Sequence, residues 1–136
     1  MESSILHDAK LIGLTYETDK VIRLNFVTDQ GASSSIILRN VIRFVATNLL
    51  DGNIVLDVLS TKFGNLDMKG AQEIVKNVFS EEFRESNPKR ALASHREWER
   101  WMNQIATGEL HVLKIEPSYG FEAIAICSDI IFTSTP

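Results

Sequence analysis

Imidazole and carboxylate groups stand close together at two places in this sequence. His7 and Asp8 are adjacent, and His95 and Glu99 are four residues apart. A carboxylate can fix the tautomer of a neighbouring imidazole, an arrangement that suits a general base. For the first pair, a turn before the first strand is the favoured explanation. His95 shares a helical stripe with Trp98, which favours packing of its ring against a sheet. Catalysis is therefore the less favoured interpretation of both pairs.

The other reactive side chains lack the sequence context of an active site. His111 has no second histidine one helical turn away, so no metal site is predicted, and no cofactor motif is present. Cys127 lies among apolar residues, where burial raises the pKa of a thiol. The serines at 33–35 stand outside the Gly-x-Ser-x-Gly context of a catalytic serine. The sequence favours a protein without catalytic activity, and enzymatic function stays as an alternative.

The most distinctive cluster combines tryptophan and arginine on one helical segment. Trp98 and Trp101 are three residues apart, with Arg100 between them. Tryptophan and arginine are enriched among the residues that dominate binding at protein interfaces. Because the arc between the two rings is wide, one ring can lie in the core and the other near the surface. Packing of both rings against a sheet is the alternative.

Three glutamates form an acidic group before this segment, at the predicted end of a helix. Negative charge there opposes the helix dipole, so the group invites an explanation. An acidic surface can steer a basic partner protein by long-range attraction. A solvated helix face without a partner is the alternative. The candidate partner-binding residues are Glu81, Glu82, Glu85, Trp98, Arg100 and Trp101.

The composition narrows the classes of partner and location. Eighteen acidic residues against fourteen basic ones give a formal charge of -4, so nucleic acid is not an expected partner. No apolar run is long enough to predict a membrane span. The single cysteine excludes an intrachain disulfide, and the N-terminus lacks the pattern of a secretory signal. We therefore expect a cytoplasmic protein.

Alternation of apolar residues predicts four strands in the first half of the chain. Turn signals separate them at Asp29-Gln30-Gly31 and at Asp51-Gly52. A slip of phase near Asn40 predicts a bulge or a bend inside the third strand. A meander is the simplest order for these strands, which are expected at 9–16, 21–27, 34–47 and 54–59.

Helical periodicity begins at Asp67, a suitable N-cap. The first helix is expected to end at Asn87-Pro88, and the second to run from about Lys89 to Gly108. Two strands follow, at 110–115 and 121–132. The last of these has no polar face, so we expect it to be central in the sheet or covered by a helix.

Together these elements predict one α+β domain spanning residues 1–136. It should contain a single antiparallel β-sheet of about six strands that begins with a four-strand meander. Two helices should lie between strands four and five. One face of the sheet should be covered and the other should be wet.

Segments within the first sixty residues resemble small bacterial proteins, immunity-type or uncharacterised, that are associated with polymorphic toxin systems. The segments are Ile5-Leu6-His7-Asp8-Ala9 with Leu11 and Gly13, then Val41-Ile42-Arg43-Phe44, then Gly52-Asn53-Ile54-Val55-Leu56-Asp57. The resemblance implies a cytoplasmic protein that binds and neutralises a toxin. It assigns no functional residue.

These observations favour a protein-binding module, most concretely an immunity-like inhibitor that neutralises a toxin with a basic surface. The alternative is a small-ligand-binding or enzymatic α+β domain with a pocket near His7 and Asp8 or near His95. A homo-oligomer that pairs through the apolar last strand is a third interpretation.

Overall fold

A computed structural model describes residues 6–17, 19–49, 52–83 and 87–134 and shows an α+β fold. One antiparallel sheet contains eight strands, and two helices accompany it. The strands are β1 (Lys10–Glu17), β2 (Val21–Val27), β3 (Ser33–Arg39), β4 (Arg43–Thr47), β5 (Ile54–Ser60), β6 (His111–Tyr119), β7 (Glu122–Cys127) and β8 (Asp129–Ser134). The helices are α1 (Met68–Phe79) and α2 (Pro88–Thr107), and a short 3-10 turn at Ser80–Phe83 follows α1.

The predicted count of about six strands is wrong because two of the predicted strands bend. The segment 34–47 divides into β3 and β4 after Asn40, which has a positive φ of 51°. The segment 121–132 divides into β7 and β8 at Ser128. The bends lie side by side, since Ser128 N donates to Arg39 O and Ile42 N donates to Ile126 O. Strands that bend in this way allow two halves of a sheet to face a shared core.

The predicted four-strand meander is also wrong beyond its first three strands. The order across the sheet is β4-β7-β6-β5-β1-β2-β3-β8. The bend carries β4 away from β3 to pair with β7, and β5 pairs with β6 and meets β1 at Lys10 and Ile54. The link through Gly52 therefore does not close a hairpin. Because the bend adds a strand, the helices follow the fifth strand rather than the fourth.

Strand β7 is covered on both faces. In β7, Ala123, Ala125 and Cys127 face the core enclosed by the sheet, whereas Ile124 and Ile126 pack with the helices. This confirms the expectation that no face of the last strand segment would be polar because a helix covers it. Each isoleucine of this kind contributes about 2 kcal/mol through burial of apolar surface.

Local sequence accounts for where the helices start and stop. The carboxylate of Asp67 accepts a hydrogen bond from Gly70 N at 2.7 Å and caps α1, as predicted. Asn87 caps α2, with Pro88 in its first turn, and Gly108 ends α2 with φ 82°. The helix α1 ends at Phe79, earlier than predicted. In the described part of the chain, no helix combines the length and the apolar character that crossing a membrane requires.

Candidate functional site

Four aromatic side chains join the end of α1 to the middle of α2. Phe83 contacts Trp98 and Trp101 with ring centroids 5.2 and 5.0 Å apart, both edge to face. Phe79 contacts Trp101 in the same manner at 6.4 Å. The two tryptophans differ in burial, because Trp101 is only 2% exposed and Trp98 is half-buried. Part of the Trp98 ring is therefore accessible to solvent, and the buried Trp101 ring packs against it.

Charged groups hold this aromatic cluster in place. Glu97 accepts hydrogen bonds from Arg100 and from Trp101 Nε1, the latter at 3.1 Å. The bond from Arg100 holds the pKa of Glu97 below its ordinary value. Arg43 of β4 lies over the Trp101 ring at 5.1 Å, a cation–π contact between sheet and helix. Arg100 is thus exposed, and its guanidinium pairs with Glu97 of the same helix.

A groove lies between the end of α1 and the first half of α2. Its volume is about 570 Å³. Apolar walls and a few polar groups line it, from Lys76, Ser80, Phe83, Ala91, His95 and Trp98. The first half of α2 leaves this space open because its buried residues, Trp101 and Ile105, both lie in its second half. We call this feature the helix groove.

His95 lies on the wall of the helix groove, where its ring is exposed rather than packed against the sheet as expected. The first ten residues of α2 contain no buried residue, so the stripe is not packed against the sheet at His95. His95 Nε2 lies 3.0 Å from Glu99 Oε1, an exposed pair one helical turn apart. The geometry can orient the imidazole, but in the described part of the chain neither side chain of the pair hydrogen-bonds to a third polar side chain.

The structure describes only part of the acidic group formed by Glu81, Glu82 and Glu85. Glu81 is exposed in the 3-10 turn beside Ser80 and Phe83, which line the helix groove. Glu82 belongs to the same turn, and Glu85 lies outside the described residues. Glu81 thus lies two residues before Phe83, whose ring contacts Trp98.

The remaining candidate groups lie apart from the helix groove. His7 and Asp8 form an exposed pair, with Nδ1 3.2 Å from Oδ2, in the turn before β1. Burial raises the pKa of the Cys127 thiol to about 12, in agreement with the expectation of a small buried apolar residue. The described residues contain no group of three or more side chains suited to hold a metal ion.

His111 forms a polar contact that sequence reasoning missed. Its Nδ1 lies 3.1 Å from Thr61 Oγ1, across two paired strands. Burial and the nearby Lys62 hold the pKa of His111 below its ordinary value. Lys62 also donates to Asp129 at 2.8 Å and holds the pKa of that carboxyl low. No sequence signal joins these residues, because they lie as far as sixty-seven positions apart.

Sequence reasoning also missed Lys76 and Ser80 as groove residues. They line the groove together with Phe83. No protein-family model matches the chain, and neither a curated protein nor a solved structure is found to be similar to it. Function must therefore be argued from the chain's own geometry.

Proposed function

We propose that this protein is a protein-binding module, most concretely an immunity-like inhibitor that neutralises a partner toxin by direct contact. The observation that carries the proposal is Trp98, half-buried on the wall of an open groove and held by Phe83 and Trp101. A rigid aromatic side chain with a polar surround is the composition of a binding hot spot. The resemblance of segments within the first sixty residues to immunity-type proteins supports the same class.

The pre-organisation of Trp98 supports a role in recognition. Its ring lies 6.5 Å from that of Trp101, which Glu97 fixes through Nε1. A side chain already held in one position loses little conformational freedom when a partner binds. Binding energy from Trp98 is therefore not offset by a large ordering cost.

The acidic residues that follow α1 indicate which charge the proposed partner should carry. Glu81 lies beside the groove, and Glu82 and Glu85 follow in sequence. Negative charge at the rim accelerates association with a basic surface, and salt weakens this effect. The proposed partner is therefore a protein with a basic patch next to an apolar site.

The first test is affinity capture from the native host at two salt concentrations. We expect one stoichiometric protein with a basic surface that elutes at the higher concentration. Trp98→Ala and the triple reversal E81K/E82K/E85K should each weaken its binding at least about tenfold. Leu92→Ala is the matched control, because Leu92 is an exposed apolar residue on the same helix.

Two results would contradict the proposal. One is recovery of the bait alone. The other is a captured partner whose affinity is unchanged in both the Trp98 and the charge-reversal variants. Because Glu81 is exposed, its charge reversal should leave the fold intact. Circular dichroism verifies the fold of each variant.

Small-ligand binding is a second candidate that the helix groove itself favours. Its volume of about 570 Å³ lies within the range of small-molecule sites, and His95 and Lys76 offer polar groups beside Trp98. A screen of metabolites by thermal shift tests it. A ligand that stabilises the parent protein but neither His95→Ala nor Trp98→Ala would replace the protein partner as the occupant of the groove.

A further inference from the structure

A second cleft, of about 320 Å³, lies where the start of α1 and the end of α2 meet the end of β5 and the start of β6. It shares no lining residue with the helix groove. Leu66, Met68 and Ile105 supply apolar walls, and Thr61 and His111 supply polar side chains from the sheet. Its volume lies near the lower end of the range of small-molecule sites. We call this feature the His111 cleft.

The hydrogen bonds of Thr61 fix which ring nitrogen of His111 carries the hydrogen. Thr61 Oγ1 accepts a hydrogen bond from Val112 N at 3.1 Å. Within the described residues, His111 Nδ1, at 3.1 Å, is the one acceptor that contacts the hydroxyl. The hydroxyl therefore donates to Nδ1, and the neutral imidazole carries its own hydrogen on Nε2.

His111 thus keeps one donor that the fold does not use. Burial and the nearby Lys62 hold the pKa of His111 below its ordinary value, so the ring is neutral at neutral pH. In the part of the chain that the structure describes, Nε2 forms no hydrogen bond. Because the ring is half-buried, an unsatisfied N–H costs free energy that an acceptor on a ligand would recover.

The end of α2 brings acceptors to the same cleft. Gly108 N donates to Ile105 O, and no donor from the described residues reaches the carbonyl oxygens of Ala106 or Thr107. The last carbonyls of a helix need partners from outside the helix. Ala106 and Thr107 both line the His111 cleft. The cleft therefore combines one donor with two backbone acceptors.

The charge of the His111 cleft narrows the class of ligand. None of the described residues that line it carries a charge at neutral pH. Lys62 and Asp129, the charged groups that act on His111, pair with each other at 2.8 Å and do not belong to the lining. A charged ligand would lose hydration in this cleft without gaining an opposite charge. The cleft therefore favours an uncharged ligand.

We infer that the His111 cleft binds a small uncharged secondary amide with an apolar substituent. The amide oxygen accepts a hydrogen bond from His111 Nε2, and the amide N–H donates to a free carbonyl at the end of α2. The apolar substituent packs against Leu66, Met68 and Ile105. A secondary amide combines in one neutral group the acceptor and the donor that the cleft requires. This site is separate from the helix groove and does not depend on the function proposed there.

The test is titration of the isotope-labelled full chain with N-butylacetamide, followed through its backbone amide signals by NMR. We expect saturable shifts concentrated at Thr61, Thr107, Gly108 and His111. Butyl acetate has the same skeleton without the N–H donor, and it should bind at least about threefold more weakly. Butylammonium and pentanoate, which are charged, should give no saturable shifts at the cleft.

Substitutions separate the donor of His111 from the shape of the cleft. His111→Phe keeps a ring but removes the donor, and it should weaken N-butylacetamide at least about threefold. Thr61→Val should also weaken it, because the ring hydrogen can then move to Nδ1, and the ring nitrogen signals report that change. Thr61→Ser keeps the hydroxyl and should bind as the parent does. His7→Phe is the matched control, because His7 is exposed in the turn before β1 and does not line the cleft.

Three results would overturn the inference. The first is the absence of saturable shifts, or shifts that lie outside the His111 cleft. The second is binding of butyl acetate or of a charged probe as tight as that of the amide. The third is an affinity for N-butylacetamide that His111→Phe and Thr61→Val both leave unchanged.

Discussion

Gly120 is a residue whose missing side chain matters directly to the fold. It turns the chain between β6 and β7 with φ 80°, and a Cβ there would overlap Asn53 Oδ1. That oxygen accepts a hydrogen bond from Phe121 N at 3.2 Å inside the protein. A methyl group at residue 120 would therefore collide with the Asn53 amide.

We predict that Gly120→Ala lowers the free energy of unfolding by more than about 3 kcal/mol, through backbone strain and lost space. Gly31→Ala is the matched control, because Gly31 has φ 83° but no atom within 4 Å of its added Cβ. It should cost only about 1 kcal/mol. Urea denaturation of both variants measures the difference. Equal losses would show that strain alone, without the contact to Asn53, limits residue 120.

His111 should make stability depend on pH. Its pKa in the folded protein is lowered by burial and by Lys62, so the unfolded chain binds a proton more readily. The contribution of His111 is complete above its unfolded pKa near 6.5 and is lost as the pH falls toward its lower folded pKa. Denaturation of the parent and of His111→Gln between pH 8 and pH 5 measures this. We expect the variant to lose stability less steeply on acidification, and identical slopes would contradict the prediction.

The two helices differ in how firmly their first turns are tied to the core. Every turn of α1 contributes a buried residue, namely Ala71, Val75 or Phe79. The first buried residue of α2 is Trp101, more than three turns from its start. The same capping chemistry should therefore have different consequences at the two N-termini.

We predict that Asp67→Ala lowers the free energy of unfolding by about 1 kcal/mol, the usual cost of losing a helix N-cap. Asn87→Ala should lower it by less than half of that amount, because the start of α2 can fray without disturbing the core. Amide exchange in residues 89–96 should instead become faster. Equal global losses would mean that the first half of α2 is coupled to the core by contacts that its burial does not suggest.

At the level of elements, the sequence predicts local structure well and pairing poorly. The strands, the caps at Asp67 and Gly108 and the bend near Asn40 follow from local patterns. The partner of a bent strand does not, because β3 and β4 pair with residues near the other end of the chain. The turn signal at Asp51-Gly52 therefore suggested a hairpin, whereas β5 pairs with β6 and β1 and not with β4.

The candidate surfaces follow the same division. Tryptophan and arginine spacing identified α2, but only packing against the sheet decides that Trp101 is buried and Trp98 is not. Alternation in β1 looks the same whether its apolar face is enclosed or open. The missing neighbour beyond Ile12 is a tertiary feature, so the sequence of that strand alone could not predict that its apolar face is open.

For the whole molecule, β7 lies where the two cores meet. Its alternate residues belong to the enclosed core and to the helix-covered core. A strand buried on both faces and paired on both edges opens only when the entire fold opens. We predict that the amides of residues 123–126 exchange at the rate set by global unfolding, and that those of β1 beyond Ile12 exchange much faster. Hydrogen exchange measures this, and equal protection of both strands would contradict it.

The paired bends also impose an order on biosynthesis. Ser34 pairs with Ser134, one hundred residues later in the chain. At roughly 5–20 residues per second, a ribosome needs roughly 5–20 s to translate that distance. During this interval β3 and β4 emerge with the apolar Ile36, Leu38 and Phe44 but without β7 and β8, with which they later pair. A chaperone that shields apolar strands in nascent chains would have its greatest effect on this segment, and release would await translation of β7 and β8.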